Sequence, residues 1–171
     1  MPTNIEIKAH VDSIERLLPT VLSLGGSEPG HSSQDDTFFE CPGGRLKLRV
    51  TGDGHGVLIF YRRADEPGPK SSYYVHSTTS DPDGLRQVLA DAYGELGRVR
   101  KHRAVVQVGE ARIHLDSVDG LGDFIELEVA VGGVFGPEEA TEQAHQLMEA
   151  LGISPADLAK GAYLDLIMAK L

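Results

Sequence analysis

Two glutamates separated by one residue stand out, because paired carboxylates can hold a metal ion. Glu126 and Glu128 alternate with apolar residues over 122–129, which is the period-two pattern of a β-strand. Residues two apart on a strand share a face, so both carboxylates point the same way. Taken alone, the stretch fits either a metal site or a half-buried strand whose glutamates meet solvent.

The same alternation recurs along the chain with charged residues of either sign. Near the N-terminus it places Asn4, Glu6 and Lys8 on one face of a strand. The other residues that share a face in this way are Arg45, Lys47 and Arg49, then Lys101 and Arg103, then Arg112, His114 and Asp116. Strands with one ionic face each predict an enclosed polar interior, where acids would hold a metal and bases a polyanion. An open sheet whose ionic faces meet solvent is the alternative.

Oxygen donors of this kind suit Mg²⁺ or Mn²⁺, which keep several waters and bridge to phosphate oxygens. The seven histidines show no zinc-site spacing. His114 has two interpretations, a contact inside the enclosed polar interior or a structural hydrogen bond. The pair Asp35-Asp36 is interpreted as solvated charge at a strand entry, with a metal site as the alternative.

Composition and charge narrow the class of protein. The 171 residues are interpreted as a single domain, 1–171, and the formal net charge of −10 argues against nonspecific nucleic-acid binding. The single cysteine, Cys41, excludes an intrachain disulfide and fits a reducing compartment. Without a signal segment or a membrane-length apolar run, we expect a cytoplasmic protein with no membrane partner.

About eight strands and four helices follow from the hydrophobic pattern. Asp12 is a candidate cap for a first helix over about 13–24, and Asp81-Pro82 opens a second. Pro137 opens the third helix, and Ser154-Pro155 the last. The predicted strands are 4–11, 34–39, 45–50, 57–63, 72–78 and three more within 98–131. Tight turns such as 52–56 join neighbouring strands, which indicates antiparallel pairing.

Several of these stretches together resemble the CYTH family, the triphosphate tunnel metalloenzymes. They are 4–8, 34–39, 45–49, His114-Leu115-Asp116 and 122–128, and the resemblance runs nearly end to end. It implies an α+β, mainly β fold: a closed eight-stranded antiparallel β-barrel, or tunnel, with about four helices packed outside. The segment around Tyr163 is then expected to seal the barrel from outside.

The resemblance also implies roles for individual residues. Metal ligands would be Glu6, Asp116, Glu126 and Glu128, with Asn4 standing where the family has its first acidic residue. Phosphate-binding residues would be Lys8, Arg45, Lys47, Arg49, Arg63, Lys70, Lys101, Arg103 and Arg112. Glu6 and Lys8 would be catalytic. Tyr73 stands where the bacterial branch often has an arginine, so one phosphate contact is expected to be absent or replaced by a stacking or hydroxyl contact.

The implied function is metal-dependent phosphoryl transfer on a triphosphate, with Mg²⁺ or Mn²⁺ as cofactor. Within the family the chain most resembles the class IV adenylate cyclase-like branch, which converts ATP to cyclic AMP and pyrophosphate. An inorganic or thiamine triphosphatase is the alternative. A non-catalytic nucleotide- or polyphosphate-binding barrel and an enzyme acting on an organic diphosphate also stay open. A nucleotide or polyphosphate is the expected partner, and a homodimer is suggested by resemblance only.

Overall fold

A computed structural model describes residues 3–63 and 68–170, without the side chain of Arg63. The strands are β1 (Thr3–His10), β2 (Gly30–Phe39), β3 (Arg45–Thr51), β4 (Gly56–Arg63), β5 (Lys70–Thr79), β6 (Glu95–Val108), β7 (Ala111–Val118) and β8 (Gly122–Val131). The helices are α1 (Ile14–Ser23), α2 (Pro82–Tyr93), α3 (Pro137–Ala150) and α4 (Tyr163–Met168).

The strands form a closed barrel in the order β1-β5-β4-β3-β2-β6-β7-β8, and every pairing between neighbours is antiparallel. The first and last strands close it, with Glu6 opposite Glu128 and Lys8 opposite Glu126. The expected α+β fold, a closed eight-stranded antiparallel barrel with four helices, is therefore confirmed.

The largest apolar cluster lies on the outer face of the barrel, underneath the helices. A second cluster, which includes Phe38, Ile59, Tyr61, Val99 and Tyr163, reaches the cavity. Ile7, Ile113 and Leu127 point outward and pack in one cluster with Ala144 and Leu147 of α3. Alternate residues on the same strands are charged and point inward, which reverses the usual arrangement of small barrels. Burying so many charges is costly unless they are paired or bind a ligand.

The helix boundaries agree with the sequence in two cases and differ in two. The Asp81 carboxylate caps α2 by accepting a bond from Gly84 N at 3.0 Å, and α3 begins at Pro137 as expected. The cap of α1 is Ser13 rather than Asp12. Ser154-Pro155 opens only a 3₁₀ turn (Pro155–Asp157), and the last helix begins later, at Tyr163.

None of the helices in the described part of the chain is long and apolar enough to span a membrane.

Candidate active site

A cavity of about 430 Å³ lies inside the barrel, and most of the charged residues singled out in the sequence line it. Strand alternation explains this, since one face of each strand points to the interior. The lining residues predicted as site residues are Asn4, Glu6, Lys8, Lys47, Arg49, Lys101, Arg103, Arg112, Glu126 and Glu128.

Carboxylates crowd together on the wall formed by β1, β7 and β8. Glu6 lies opposite Glu128 in the β1–β8 ladder. Glu126 is two residues before Glu128 on β8 and points into the same cavity. Burial, followed by repulsion from Glu126 and Glu6, raises the pKa of Glu128 to about 8. Like charges held this close need a cation or a proton between them, which is the electrostatic setting of a metal site.

His114 completes this acidic wall. One ligand atom each of His114, Glu126 and Glu128 lies within 4.8 Å of the others. Burial, and then the nearby Arg103, holds the pKa of His114 well below its usual range, so the imidazole is neutral at neutral pH. Within the described residues Nδ1 of His114 has no hydrogen-bond partner, so the structural hydrogen bond expected from the sequence is absent at this atom.

The side chains of His114, Glu126 and Glu128 have the atom types and spacing that a divalent cation needs. The ring nitrogen Nδ1 of His114, which has no hydrogen-bond partner among the described residues, lies beside two carboxylates, and a divalent cation accepts such a set of donors. His114, Glu126 and Glu128 are thus the residues that could hold one, and Glu6 lies opposite Glu128 on β1. Treating His114 as a potential ligand needed the β7–β8 register, in which His114 faces Glu126.

Asp116 lies outside this cluster, although the resemblance placed it among the metal ligands. Its carboxylate accepts two bonds from Arg103 and one from the Tyr163 hydroxyl, all at 2.7 Å, and is fully buried. Burial alone would raise its pKa, but the charge and hydrogen bonds of Arg103 lower it. The described contacts of Asp116 therefore serve to hold the Arg103 side chain in place.

A second buried carboxylate, Asp36, gathers three cations on the wall formed by β2, β3 and β6. Its oxygens lie 2.8 Å from Nε and Nη2 of Arg49, 3.0 Å from Nζ of Lys101 and 3.3 Å from Nζ of Lys47. Asp36 has no exposed surface, so its interpretation as solvated charge was wrong. Its neighbour Asp35 faces the other side of the strand and pairs with partly exposed Arg98 and Arg100.

Burial makes the charged form of the two lysines around Asp36 costly. Burial, and then the neighbouring arginines against the opposing pull of Asp36, lowers the pKa of Lys101 to about 8. Burial also lowers the pKa of Lys47 well below its usual range, with Arg49 adding to the effect. Asp36 stays ionised because these cations outweigh its own burial and lower its pKa. This cluster could bind an anion, with Asp36 as the internal counter-ion of its cations.

The remaining wall, on β4 and β5, is mostly neutral. Ile59, Tyr61, Tyr74 and His76 line it. Tyr73 does not line the cavity, because it points outward, where Arg62 stacks over its ring at 4.8 Å, and the neighbouring Tyr74 lines the cavity instead. The absence of a phosphate contact at Tyr73, one of the two expected alternatives, stays a prediction.

Two other predicted phosphate ligands, Arg45 and Lys70, are not among the residues that line this cavity, and a third, Arg63, has no described side chain. Arg45 pairs with Asp165 in α4, and Lys70 is buried opposite Glu6 in the β1–β5 ladder. Arg112 does line the cavity, half exposed, with its Nη1 3.9 Å from a Glu128 oxygen.

Tyr163, the first residue of α4, also lines the cavity. Its hydroxyl donates to Asp116, and Nζ of Lys8 lies 3.8 Å from its ring centroid. The expectation that this segment lies outside was wrong for the side chain, which is buried against the interior. A tyrosine in a six-residue helix gives no sequence signal for such a contact.

Comparison with known proteins places these features in a family. A model of the CYTH domain matches residues 2–163. A Methanocaldococcus jannaschii protein with a provisional adenylate cyclase name is 22% identical, over 95% of this chain and 97% of its own length.

Two solved structures share the fold. A conserved hypothetical protein from Pyrococcus furiosus superposes with a TM-score of 0.85 at 26% identity, covering 96% of this chain and 99% of its own. A Hippeastrum protein provisionally named an adenylyl cyclase, with a dominant triphosphatase activity described for it, superposes with a TM-score of 0.68 at 18% identity, covering 99% and 96%. Because the family model spans nearly all of the sequence, the chain belongs to the CYTH domain family.

Proposed function

We propose that this chain is a metal-dependent phosphoryl-transfer enzyme that acts on a triphosphate inside the barrel. The observation that carries the proposal is that a carboxylate wall and a cation wall line one cavity. A receptor for phosphate alone would gain little from buried carboxylates beside its anion, whereas a metal–triphosphate complex needs both walls. Enzymes of the CYTH family are also generally metal-dependent.

In this proposal the cations on β2, β3 and β6 bind the phosphate chain. Arg49 and Arg103 offer planar forks that match two phosphate oxygens, and Lys101 supplies a compact charge. Phosphoryl transfer depends mainly on such positioning and charge neutralisation. Lys8, fixed over the Tyr163 ring, would neutralise the group being transferred or released.

The acidic wall would supply the metal and the proton acceptor. A divalent cation there, held by Glu126, Glu128 and His114, would be Mg²⁺ or Mn²⁺, would polarise phosphate oxygens and would lower the pKa of the attacking oxygen. Glu6 would accept the proton from that oxygen. Asn4 lines the cavity beside these acids and can offer a neutral carbonyl oxygen.

Two reactions are consistent with these parts, and they differ in the nucleophile. In the cyclase reaction the 3′-oxygen of ATP bonds to the α-phosphorus, and pyrophosphate leaves. In the hydrolase reaction a water oxygen bonds to the terminal phosphorus, and orthophosphate is released. The provisional name of the M. jannaschii relative favours cyclisation, and the activity described for the Hippeastrum protein favours hydrolysis as the second candidate.

Product analysis separates these reactions. The purified protein is incubated with Mg²⁺ or Mn²⁺ and with ATP, tripolyphosphate or thiamine triphosphate, and products are resolved by ³¹P NMR and chromatography. Cyclic AMP with pyrophosphate identifies a cyclase, and orthophosphate identifies a triphosphatase whose preferred substrate names it. No turnover of any compound would contradict the enzymatic proposal.

The Glu126→Gln variant tests the acidic wall. We expect its kcat to fall by at least about 100-fold, the scale seen when one group that stabilises transition-state charge is removed. Glu110→Gln is the matched control, because Glu110 is exposed in the turn between β6 and β7. Equal activity in both variants would remove Glu126 from the site.

A further inference from the structure

We propose that His114 ligates the divalent cation through Nδ1, beside one carboxylate oxygen each from Glu126 and Glu128, and that this nitrogen makes the site prefer Mn²⁺ to Mg²⁺. The inference rests on the metal requirement in the proposed function and names a ligand for it.

The position of His114 follows from the barrel register. On β7 it lies directly opposite Glu126 of β8, and Arg112 on the same face lies opposite Glu128. The imidazole therefore belongs to the same inward row as the two carboxylates. Its side chain is only 6% exposed, so the ring is held against the cavity and away from bulk water.

The bonding state of Nδ1 points to a ligand beyond the described side chains. The atom is buried and has no hydrogen-bond partner among the described residues. The nearby Glu128 Oε1 is 3.8 Å away, which is too far for a hydrogen bond. Buried polar atoms are rarely left without a partner, so a group bound in the cavity is the expected one.

The spacing fits a shared ion. Two ligand atoms at about 2.1 Å from one octahedral cation lie about 3 Å apart when adjacent and about 4 Å apart when opposite. The Nδ1–Oε1 distance of 3.8 Å falls in this range, and all three ligand atoms lie within 4.8 Å of one another. Small rotations of the two glutamates would close the set around an ion.

A nitrogen in the ligand set changes which metal is preferred. Mg²⁺ takes oxygen ligands almost exclusively and gives up its waters reluctantly. Imidazole suits first-row transition metals, and Mn²⁺ accepts carboxylate and water in the same site. One histidine with two carboxylates therefore favours Mn²⁺ more than a set of oxygens alone would.

The test is pulsed EPR on the full chain loaded with Mn²⁺ and no substrate. We expect electron spin-echo modulation from a directly bound imidazole ¹⁴N, replaced by the ¹⁵N pattern when the protein is grown with ¹⁵N-histidine. In His114→Asn, whose amide oxygen can take the place of Nδ1, the nitrogen signal should vanish. The dissociation constant for Mn²⁺ should rise by at least about tenfold, since even the loss of an outer-shell partner costs that much affinity. The dissociation constant for Mg²⁺ should change less, so the ratio of the Mg²⁺ to the Mn²⁺ constant should fall.

His76→Asn is the matched control, because His76 lines the same cavity outside the metal cluster, and it should keep the nitrogen signal. Bound Mn²⁺ without nitrogen coupling in the unmodified chain, or coupling that survives in His114→Asn, would overturn this inference and leave the proposed enzyme intact. A chain that binds no Mn²⁺ would overturn both.

Discussion

Asp36 is a buried carboxylate that faces three cations from β3 and β6. In the ligand-free chain it is their main counter-charge, and a bound polyphosphate would supply further negative charge at the same place. Removing one partner of a buried ionic cluster leaves the others uncompensated in a poorly solvated site. Asp36 therefore matters most when no phosphate is bound.

Asp36→Asn is expected to lower the free energy of unfolding of the ligand-free protein by about 3 kcal/mol, the scale reported for broken buried ion pairs. Urea denaturation measures this, and saturating tripolyphosphate with EDTA should stabilise the variant more than the parent. Asp35→Asn is the control, because Asp35 is partly exposed and surface pairs are worth about 1 kcal/mol or less. Equal losses in the two variants would contradict the role of Asp36.

In the proposed function, Lys101 would make phosphate binding dependent on pH. Since its pKa is lowered to about 8, mainly by burial, it is charged at pH 7 and largely neutral at pH 9. A bound phosphate favours the charged form, so affinity for tripolyphosphate should fall above pH 8 as the free protein loses this proton. An arginine at the same position would stay charged across the range.

We therefore compare the Kd for tripolyphosphate, measured in EDTA, between the unmodified protein and Lys101→Arg. The ratio of the first Kd to the second should rise about tenfold between pH 7 and pH 9, because binding is linked to one proton on Lys101. Titration calorimetry at both pH values measures the ratio. Using the ratio cancels the titration of tripolyphosphate itself. A ratio that does not change with pH would place the titrating group elsewhere.

Strand periodicity explains which site residues could be predicted from the sequence. Alternation along β1 and β8 puts Glu6 and Lys8, and Glu126 and Glu128, on one face each, and all four line the cavity. Period two is a local property of a strand, so it needs no knowledge of the partner strands.

On β5, strand parity decides which residues reach the cavity. Ser72, Tyr74 and His76 share the inward face and line the cavity, whereas Tyr73 lies on the other face. Contacts between strands were out of reach of the sequence pattern. Arg103 lies opposite Asp116, and Asp36 opposite Arg49, only because of ladder registers that the sequence does not state.

Helix α4 is held against the barrel by contacts with β6. Gly97 of β6 packs so closely that a Cβ there would lie 2.9 Å from Cδ1 of buried Leu164. Any shift of Leu164 would move the neighbouring Tyr163, whose ring lies beneath Lys8.

Gly97→Ala is therefore expected to cost about 1 to 3 kcal/mol of unfolding free energy, as overpacking of a core does, and to weaken tripolyphosphate binding. Urea denaturation and calorimetry measure the two effects. Gly43→Ala is the control, since its Cβ would meet only the Phe60 ring, at 3.9 Å. If both variants behave alike, α4 is not held tightly at this point.

At the scale of the whole molecule, charge is divided between surface and interior. The net charge is −10, yet Lys47, Arg49, Lys101 and Arg103 point into the cavity. The strand pattern predicted an enclosed polar interior with an open sheet as the alternative, and the resemblance to the CYTH family was what implied the closed eight-stranded barrel. The position of α4 could not be predicted, because a six-residue helix at the C-terminus is fixed by distant packing rather than by its own pattern.

The position of the largest apolar cluster, outside the barrel, has a consequence for which residues can be substituted. The largest apolar cluster packs beneath the helices, whereas the charged side chains on the other face of the same strands point into the cavity and are not part of that cluster. Polar cavity positions can therefore be exchanged one at a time without disturbing this cluster, provided that the buried charges stay balanced. Asn4 is an inward position of this kind, and an engineer could use the same freedom to adapt the barrel to a different anion.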